Sequence, residues 1–174
     1  QSVHFDAFES ENYPNLAESG IVIDYNTAAI RPYESHRKLV NLNDLDNRVM
    51  ILKLFPGITE KVMDACFDIE GLKGVVLETY GSGNSPSEAW FMKSLERAIK
   101  KGLIILNVSQ CNGGRVIQGR YETSKELLNV GVVSGADMTT EAAITKLMFL
   151  LGQENSTEEI RRKLTIPLAG EMTG

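Results

Sequence analysis

Residues 73–88 read KGVVLETYGSGNSPSE, and this stretch decides the fold. Gly74-Val75-Val76-Leu77 is a short apolar run of the kind shown by a strand covered on both faces. The run breaks at Gly81 and Gly83, where a chain leaving a strand can take positive φ or let a ligand approach its backbone. Ser85 is then placed to cap a helix, Pro86 suits the first helical position, and Glu88 completes a capping box three residues after the cap. A strand, a Gly-rich turn and a capped helix make the carboxyl end of one βα unit. Open α/β sheets bind their ligands at that end.

The same alternation extends in both directions. Upstream, Val49 to Leu54 reads as a strand stopped by Pro56-Gly57, and Thr59 caps a helix that buries Val62, Met63, Cys66 and Phe67. Downstream, the helix from Pro86 to Lys100 carries Phe91, Leu95, Ala98 and Ile99 on one face, and Gly102 ends it. Leu103 to Val108 is the clearest strand. Cys111 to Thr123 (CNGGRVIQGRYET) is long, rich in glycine and without helical period, as functional loops often are. A short helix at Lys125 to Asn129 leads to the strand Gly131 to Val133. The turn Ser134-Gly135-Ala136-Asp137 opens a helix from Thr140 to Leu151 that faces inward through Ile144, Leu147, Met148 and Leu151. Ser156 and Glu159 start a last helix, ending near Leu164, with Arg161, Arg162 and Lys163 complementing its dipole.

The strand centres are about 24 to 29 residues apart, the length of a right-handed βαβ unit. The predicted architecture is α/β: a small parallel sheet of about four strands with helices on both faces, a Rossmann-like three-layer arrangement. Its ligand edge is made by the turns at 79–86, 109–114 and 134–139. Residues 1–48 read instead as an irregular interdomain arm with a short edge strand at Gly20 to Asp24, and residues 49–174 as the α/β domain.

Composition narrows the function classes. A chain of 174 residues with net charge −5 and no basic cluster argues against nucleic acid, and no apolar stretch is long enough to span a membrane. Two cysteines make no disulfide framework, and two cysteines with two histidines at wide spacing make no metal site. Position 1 is Gln, so the sequence is expected to continue upstream and the lack of a leader peptide carries little weight.

The candidate residues each have two readings. Gly81 and Gly83 serve either a bare strand-to-helix turn or a ligand; a dinucleotide fingerprint would need glycine where Pro86 stands. Cys111 has a nucleophile's position, but His4 and His36 both lie in the arm, and a small buried filler is the plainer reading. Ser109 and Gln110 suit the α-amino and α-carboxylate groups of an amino acid, or simple turn capping. Asp137 reads as an N-cap before it reads as catalytic. Trp90 and Tyr80 read as packing residues.

Four motifs in order carry a family resemblance: YGSGNSP at 80–86, NVSQC at 107–111, SGADMTTEAAITKL at 134–147 and GEMT at 170–173. Together they resemble the C-terminal half of bacterial type I L-asparaginases, the cytoplasmic class. FDAFESENYPNLAESG at 5–20 is similar to the segment that joins the two halves in that family. The resemblance implies hydrolysis of L-asparagine to L-aspartate and ammonia by a threonine nucleophile, through an acyl-enzyme, without metal or organic cofactor. The family's TGGTI-like and HGTDT-like motifs belong to an N-terminal catalytic domain and do not occur here, so this portion alone is expected to be inactive.

Further implications concern assembly and regulation. Family members form dimers that pair into tetramers, and residues near the GSGN turn complete a neighbouring subunit's active site. That role falls on Tyr80, Gly81, Gly83 and Asn84. Some members bind asparagine at a second, activating site, whose counterpart here is Glu78, Ser109, Gln110 and Cys111. Where some regulated members have arginine in an LRSYG motif, this chain has Glu78 in LETYG, which would repel a ligand carboxylate but can hold an ammonium group. A free-standing amino-acid-binding or oligomerisation module is the alternative, and amidohydrolases acting on tRNA-linked glutamate share the fold.

Overall fold

The computed structural model describes residues 12–33, 35–36, 38–117, 122–153 and 156–173, without the side chains of 122–124. They form two compact units, 1–43 and 44–174. In the first, β1 (Ala17–Ser19) and β2 (Ile23–Tyr25) pair antiparallel, with Ala17 opposite Tyr25. Gly20 to Val22 make the turn of this hairpin, closed by the Gly20 amide donating to the Val22 carbonyl at 3.0 Å. The stretch read as one short strand thus divides into a turn and a second strand.

The second unit runs β3 (Val49–Lys53), α1 (Glu60–Phe67), β4 (Gly74–Thr79), α2 (Ala89–Lys100), β5 (Ile104–Ser109), α3 (Glu122–Asn129), β6 (Val133–Ser134), α4 (Thr140–Gly152) and α5 (Thr157–Leu164). The four strands lie in sequence order β3-β4-β5-β6, all parallel. Every residue of β4 and β5 is buried, which is why both are mostly apolar, with polar residues only at Glu78, Thr79, Asn107 and Ser109.

Side chains alternate between two cores. Leu52, Leu54, Val75, Leu77 and Ile105 pack with Met63, Phe67, Phe91, Leu95 and Leu127 from α1, α2 and α3. Val76, Ile104, Leu106, Val108 and Val133 pack with Ala143, Leu147, Leu150, Ile160 and Leu164 from α4 and α5. The expected three-layer α/β fold is present, a four-stranded parallel sheet with helices on both faces. The crossover helices α1 to α3 share one face, as successive right-handed connections demand, and α4 and α5 close the other. Gly74 lets α4 come close: a carbon built on it would lie 2.7 Å from Leu147 Cδ2.

Local expectations divide by mechanism. Thr59 and Ser156 cap α1 and α5 through their side-chain oxygens, as read, and Gly102 has φ 95° just past α2. Ser85 does not cap α2. The Tyr80–Asn84 bridge keeps the chain extended, and the helix starts at Ala89 with Glu88 as an N-cap that makes no side-chain bond. Val62 is exposed, and α1 faces inward through Met63 and Phe67. The inner face of α4 is Ala143, Lys146, Leu147 and Leu150, turned from the predicted face because the end of the chain draws Lys146 inward. α3 begins three residues before its expected start, and the middle of the preceding loop lies outside the described residues. β6 is only two residues long, Val133–Ser134, where Gly131 to Val133 was expected.

Candidate functional site

The site follows from how three turns are held at the carboxyl ends of β4, β5 and β6. The first is tight. The Tyr80 amide donates to the Asn84 carbonyl at 2.9 Å, the Asn84 amide returns to the Tyr80 carbonyl at 2.8 Å, and Gly81 and Gly83 take φ of 50° and 108°. Side chains would strain both glycine positions. Asn84 and Gly81 are exposed, Gly83 is buried and Tyr80 is half-buried against the α1–α3 core.

Residues of β5 brace this turn from beneath. The Ser109 hydroxyl donates to the Gly81 carbonyl at 2.6 Å and accepts the Cys111 amide at 3.0 Å. Thr79, fully buried, donates to Asn107 Oδ1 at 2.7 Å. Gln110 places its amide on the carbonyls of Leu54 (2.6 Å) and Glu78 (2.9 Å), tying the ends of three strands together. Cys111 is exposed, so the buried-filler reading of it fails.

Glu78 is 8 % exposed and sits at the amino end of α4. Its Oε1 accepts the Thr140 hydroxyl at 2.5 Å and its Oε2 lies 3.2 Å from Lys53 Nζ. A carboxylate there complements the helix dipole, and Lys53 offsets its charge.

In the third turn Asp137 is not the N-cap. Thr139 caps α4, accepting from the Ala142 amide at 3.2 Å, while Asp137 turns to the closing GEMT segment. Its carboxylate accepts the Thr173 amide at 2.9 Å and the Thr173 hydroxyl. Burial alone would raise this carboxyl. The Thr173 hydrogen bonds and the charge of Arg115 outweigh it and hold the group below its ordinary value. Lys146 completes the latch, with Nζ 2.6 Å from Glu171 Oε1 and 2.7 Å from the Ile166 carbonyl.

The fold therefore brings together the ends of β4 and β5, with Tyr80 to Asn84 on the surface and Ser109 and Gln110 below. The carbonyl of Glu78 joins them by accepting from Gln110, while its side chain turns to α4. Among the described residues strand order never reverses, so the sheet they form has no switch-point crevice of its own. Among the described residues no cluster of three or more His, Cys, Asp or Glu can hold a metal, and no helix is long and apolar enough to cross a membrane.

The Glutaminase/Asparaginase C-terminal domain family matches residues 48–164. The chain belongs to this family. It is 37 % identical over 169 residues to L-asparaginase 1 of Escherichia coli K12, covering 97 % of this chain and 49 % of that protein. It is 39 % identical over 170 residues to the human 60 kDa lysophospholipase, covering 97 % and 29 %. The crystal structure of L-asparaginase I from Vibrio cholerae superposes with a TM-score of 0.89 at 34 % identity, over 98 % of this chain and 52 % of that one. The chain thus spans about half of the length of the two asparaginases and under a third of the lysophospholipase. As a member of this family, it corresponds to the C-terminal portion of the two asparaginases.

Sequence reasoning missed Asn107, Lys146 and Glu171. Each had a visible signal: a polar residue interrupting the apolar run ILNVS, a lysine inside an apolar helix, and an acid in the final turn.

Proposed function

We propose that this chain is the C-terminal portion of an asparaginase-type amidohydrolase that hydrolyses L-asparagine to L-aspartate and ammonia in the cytoplasm. The nucleophile would lie in the N-terminal catalytic domain, and this portion would pair in dimers or tetramers and complete a neighbouring active site through Tyr80, Gly81, Gly83 and Asn84. The observation that carries this reading is the Tyr80–Asn84 turn. It projects from the sheet edge with Asn84 exposed, while Ser109 and the paired amides of Tyr80 and Asn84 hold its backbone rigid. A turn braced from below and open above suits a group lent to another subunit.

Effector binding at Glu78, Ser109, Gln110 and Cys111 has weaker support. The Gln110 amide, the Ser109 hydroxyl and both Glu78 oxygens already have partners within the domain. Any asparagine bound there would have to displace them.

Three measurements test the proposal. Ammonia release from asparagine is expected from this chain joined to the N-terminal half of a homologous asparaginase, and none from the chain alone; activity of the isolated chain would overturn the assignment of the nucleophile. Replacing Asn84 by Ala in the joined protein should lower activity at least tenfold if the turn contacts a neighbouring substrate. Unchanged kinetics would remove Asn84 from the site. Calorimetric titration of asparagine into the chain, against aspartate and glutamine, decides the effector site.

A further inference from the structure

Residues 111–117 leave β5 and return beside the Tyr80–Asn84 turn, and the returning chain presses on Ser109 at Gly114. A carbon built on Gly114 would lie 2.3 Å from Ser109 Oγ, 2.8 Å from Ser109 Cβ and 2.7 Å from the Cys111 carbonyl oxygen, all inside van der Waals contact. Glycine is needed here for room and not for backbone conformation: Gly113 takes a φ of 68°, whereas Gly114 lies outside the left-handed region. The Gly114 amide donates to the Cys111 carbonyl at 2.8 Å, which fixes the approach. Beyond it, buried Val116 packs against Gly83, its Cγ1 3.0 Å from where a carbon on that glycine would lie, and the Ile117 amide donates to the Ser82 carbonyl at 3.2 Å.

The atom that a side chain at 114 would strike is the one that braces the turn. Ser109 Oγ donates to the Gly81 carbonyl at 2.6 Å and accepts the Cys111 amide at 3.0 Å. A serine oxygen occupies one of three staggered positions, so a collision this deep is not absorbed by a small swing. It sends the hydroxyl to another rotamer and breaks both bonds. The Gly81 carbonyl then loses its support from beneath, while the paired amides of Tyr80 and Asn84 remain.

We infer that Gly114 is a positioning residue: its lack of a side chain lets residues 111–117 fold against Ser109 and keeps that hydroxyl on the Gly81 carbonyl. The inference deepens the function proposed above and rests on it for the purpose of the turn, whereas the arrangement itself can be read out in the isolated chain.

The first readout is the carbonyl-carbon NMR resonance of Gly81 in the labelled 174-residue chain, with Ser109→Ala marking its position once the hydroxyl bond is lost. Gly114→Ala is expected to move the resonance in the same direction as Ser109→Ala does, and Asn112→Ala, at an exposed position of the same loop, to leave it in place. An unmoved resonance in Gly114→Ala, or an equal movement in Asn112→Ala, overturns the inference. If Gly114→Ala does not fold, it is combined with Ser109→Gly, which removes both Ser109 atoms in its way. Recovery of the fold then upholds the inference, and continued failure overturns it. The second readout is ammonia release by the protein joined to an N-terminal half. Gly114→Ala is expected to lower it roughly tenfold or more, as misplaced positioning groups do. Adding Ser109→Ala should lower it no further, because both changes break one contact; a further loss overturns the assignment to Ser109. A moved resonance with unchanged ammonia release would sink the reading of the turn as lent to a neighbour and leave the role of Gly114 standing.

Discussion

Lys146 Nζ lies 2.6 Å from Glu171 Oε1, with the two side chains 4 % and 14 % exposed. The pair joins the middle of α4 to the last turn of the described chain. Lys146 also reaches the carbonyls of Ile166 (2.7 Å) and Leu164 (3.4 Å), and Glu171 accepts the amides of Leu168 and Ala169. The GEMT motif is thus a structural closure, which seats Met172 in the α4–α5 core.

Lys146→Met should destabilise the domain by about 3 kcal/mol, because removing one partner strands the other in a poorly solvated site. Lys146→Met with Glu171→Leu should recover much of the loss, as apolar replacement of buried pairs commonly does. Urea unfolding of the two variants checks both. A double variant no more stable than the single one would show that the pair contributes more than its charges.

The same pair sets an acid limit. Burial pushes the Glu171 carboxyl up, but Lys146 and the amides of Leu168 and Ala169 outweigh it and bring the value down from 4.5 to about 2. A carboxyl depressed in the folded state stabilises fully above its unfolded value and loses that contribution as pH falls through its folded one. The stability gap between the parent and Glu171→Gln should therefore be constant above about pH 5, at about 3 kcal/mol, and shrink between pH 4.5 and pH 2. A gap independent of pH over that range would mean that Glu171 acts through shape alone.

Asp137 and Thr173 should behave as one unit. Asp137→Asn and Thr173→Val each remove a charge-assisted hydrogen bond and should cost about 1–2 kcal/mol. The double variant should cost clearly less than the sum, since both break one contact. Additive losses in a double-mutant cycle would mean that each residue has other, larger partners.

The sheet was legible because burial on both faces demands apolar runs, as at Gly74–Leu77 and Ile104–Leu106. The caps at Thr59 and Ser156 were legible because cap and partner lie three residues apart, within one local pattern. Asp137 was misread as a cap because its partner is remote: the returning GEMT segment takes its carboxylate, and Thr139 caps the helix instead. Lys146 turned the α4 face for the same reason. In the candidate site, Gly81, Gly83 and Ser109 announced themselves by residue type. What Ser109 and Gln110 bond to depends on strand pairing, which no local pattern encodes.

Ser85 and Thr139 separate local from tertiary reasoning in one experiment. By sequence Ser85 should cap a helix, so its change to alanine should cost about 1 kcal/mol, whereas the cap near Thr139 falls to Asp137. In the structure Thr139 accepts the Ala142 amide, whereas Ser85 Oγ is buried without a hydrogen-bond partner among the described residues. Thr139→Ala should therefore cost the full cap. Ser85→Ala should be neutral or stabilising by a few tenths of a kcal/mol, because it removes an unsatisfied hydroxyl instead of a bond. Thermal unfolding of the two variants distinguishes the cases, and equal losses would restore Ser85 as the start of α2. Loss of activity in the joined protein by Ser85→Ala without loss of stability would instead give this hydroxyl a role at the neighbouring site, one residue from Asn84.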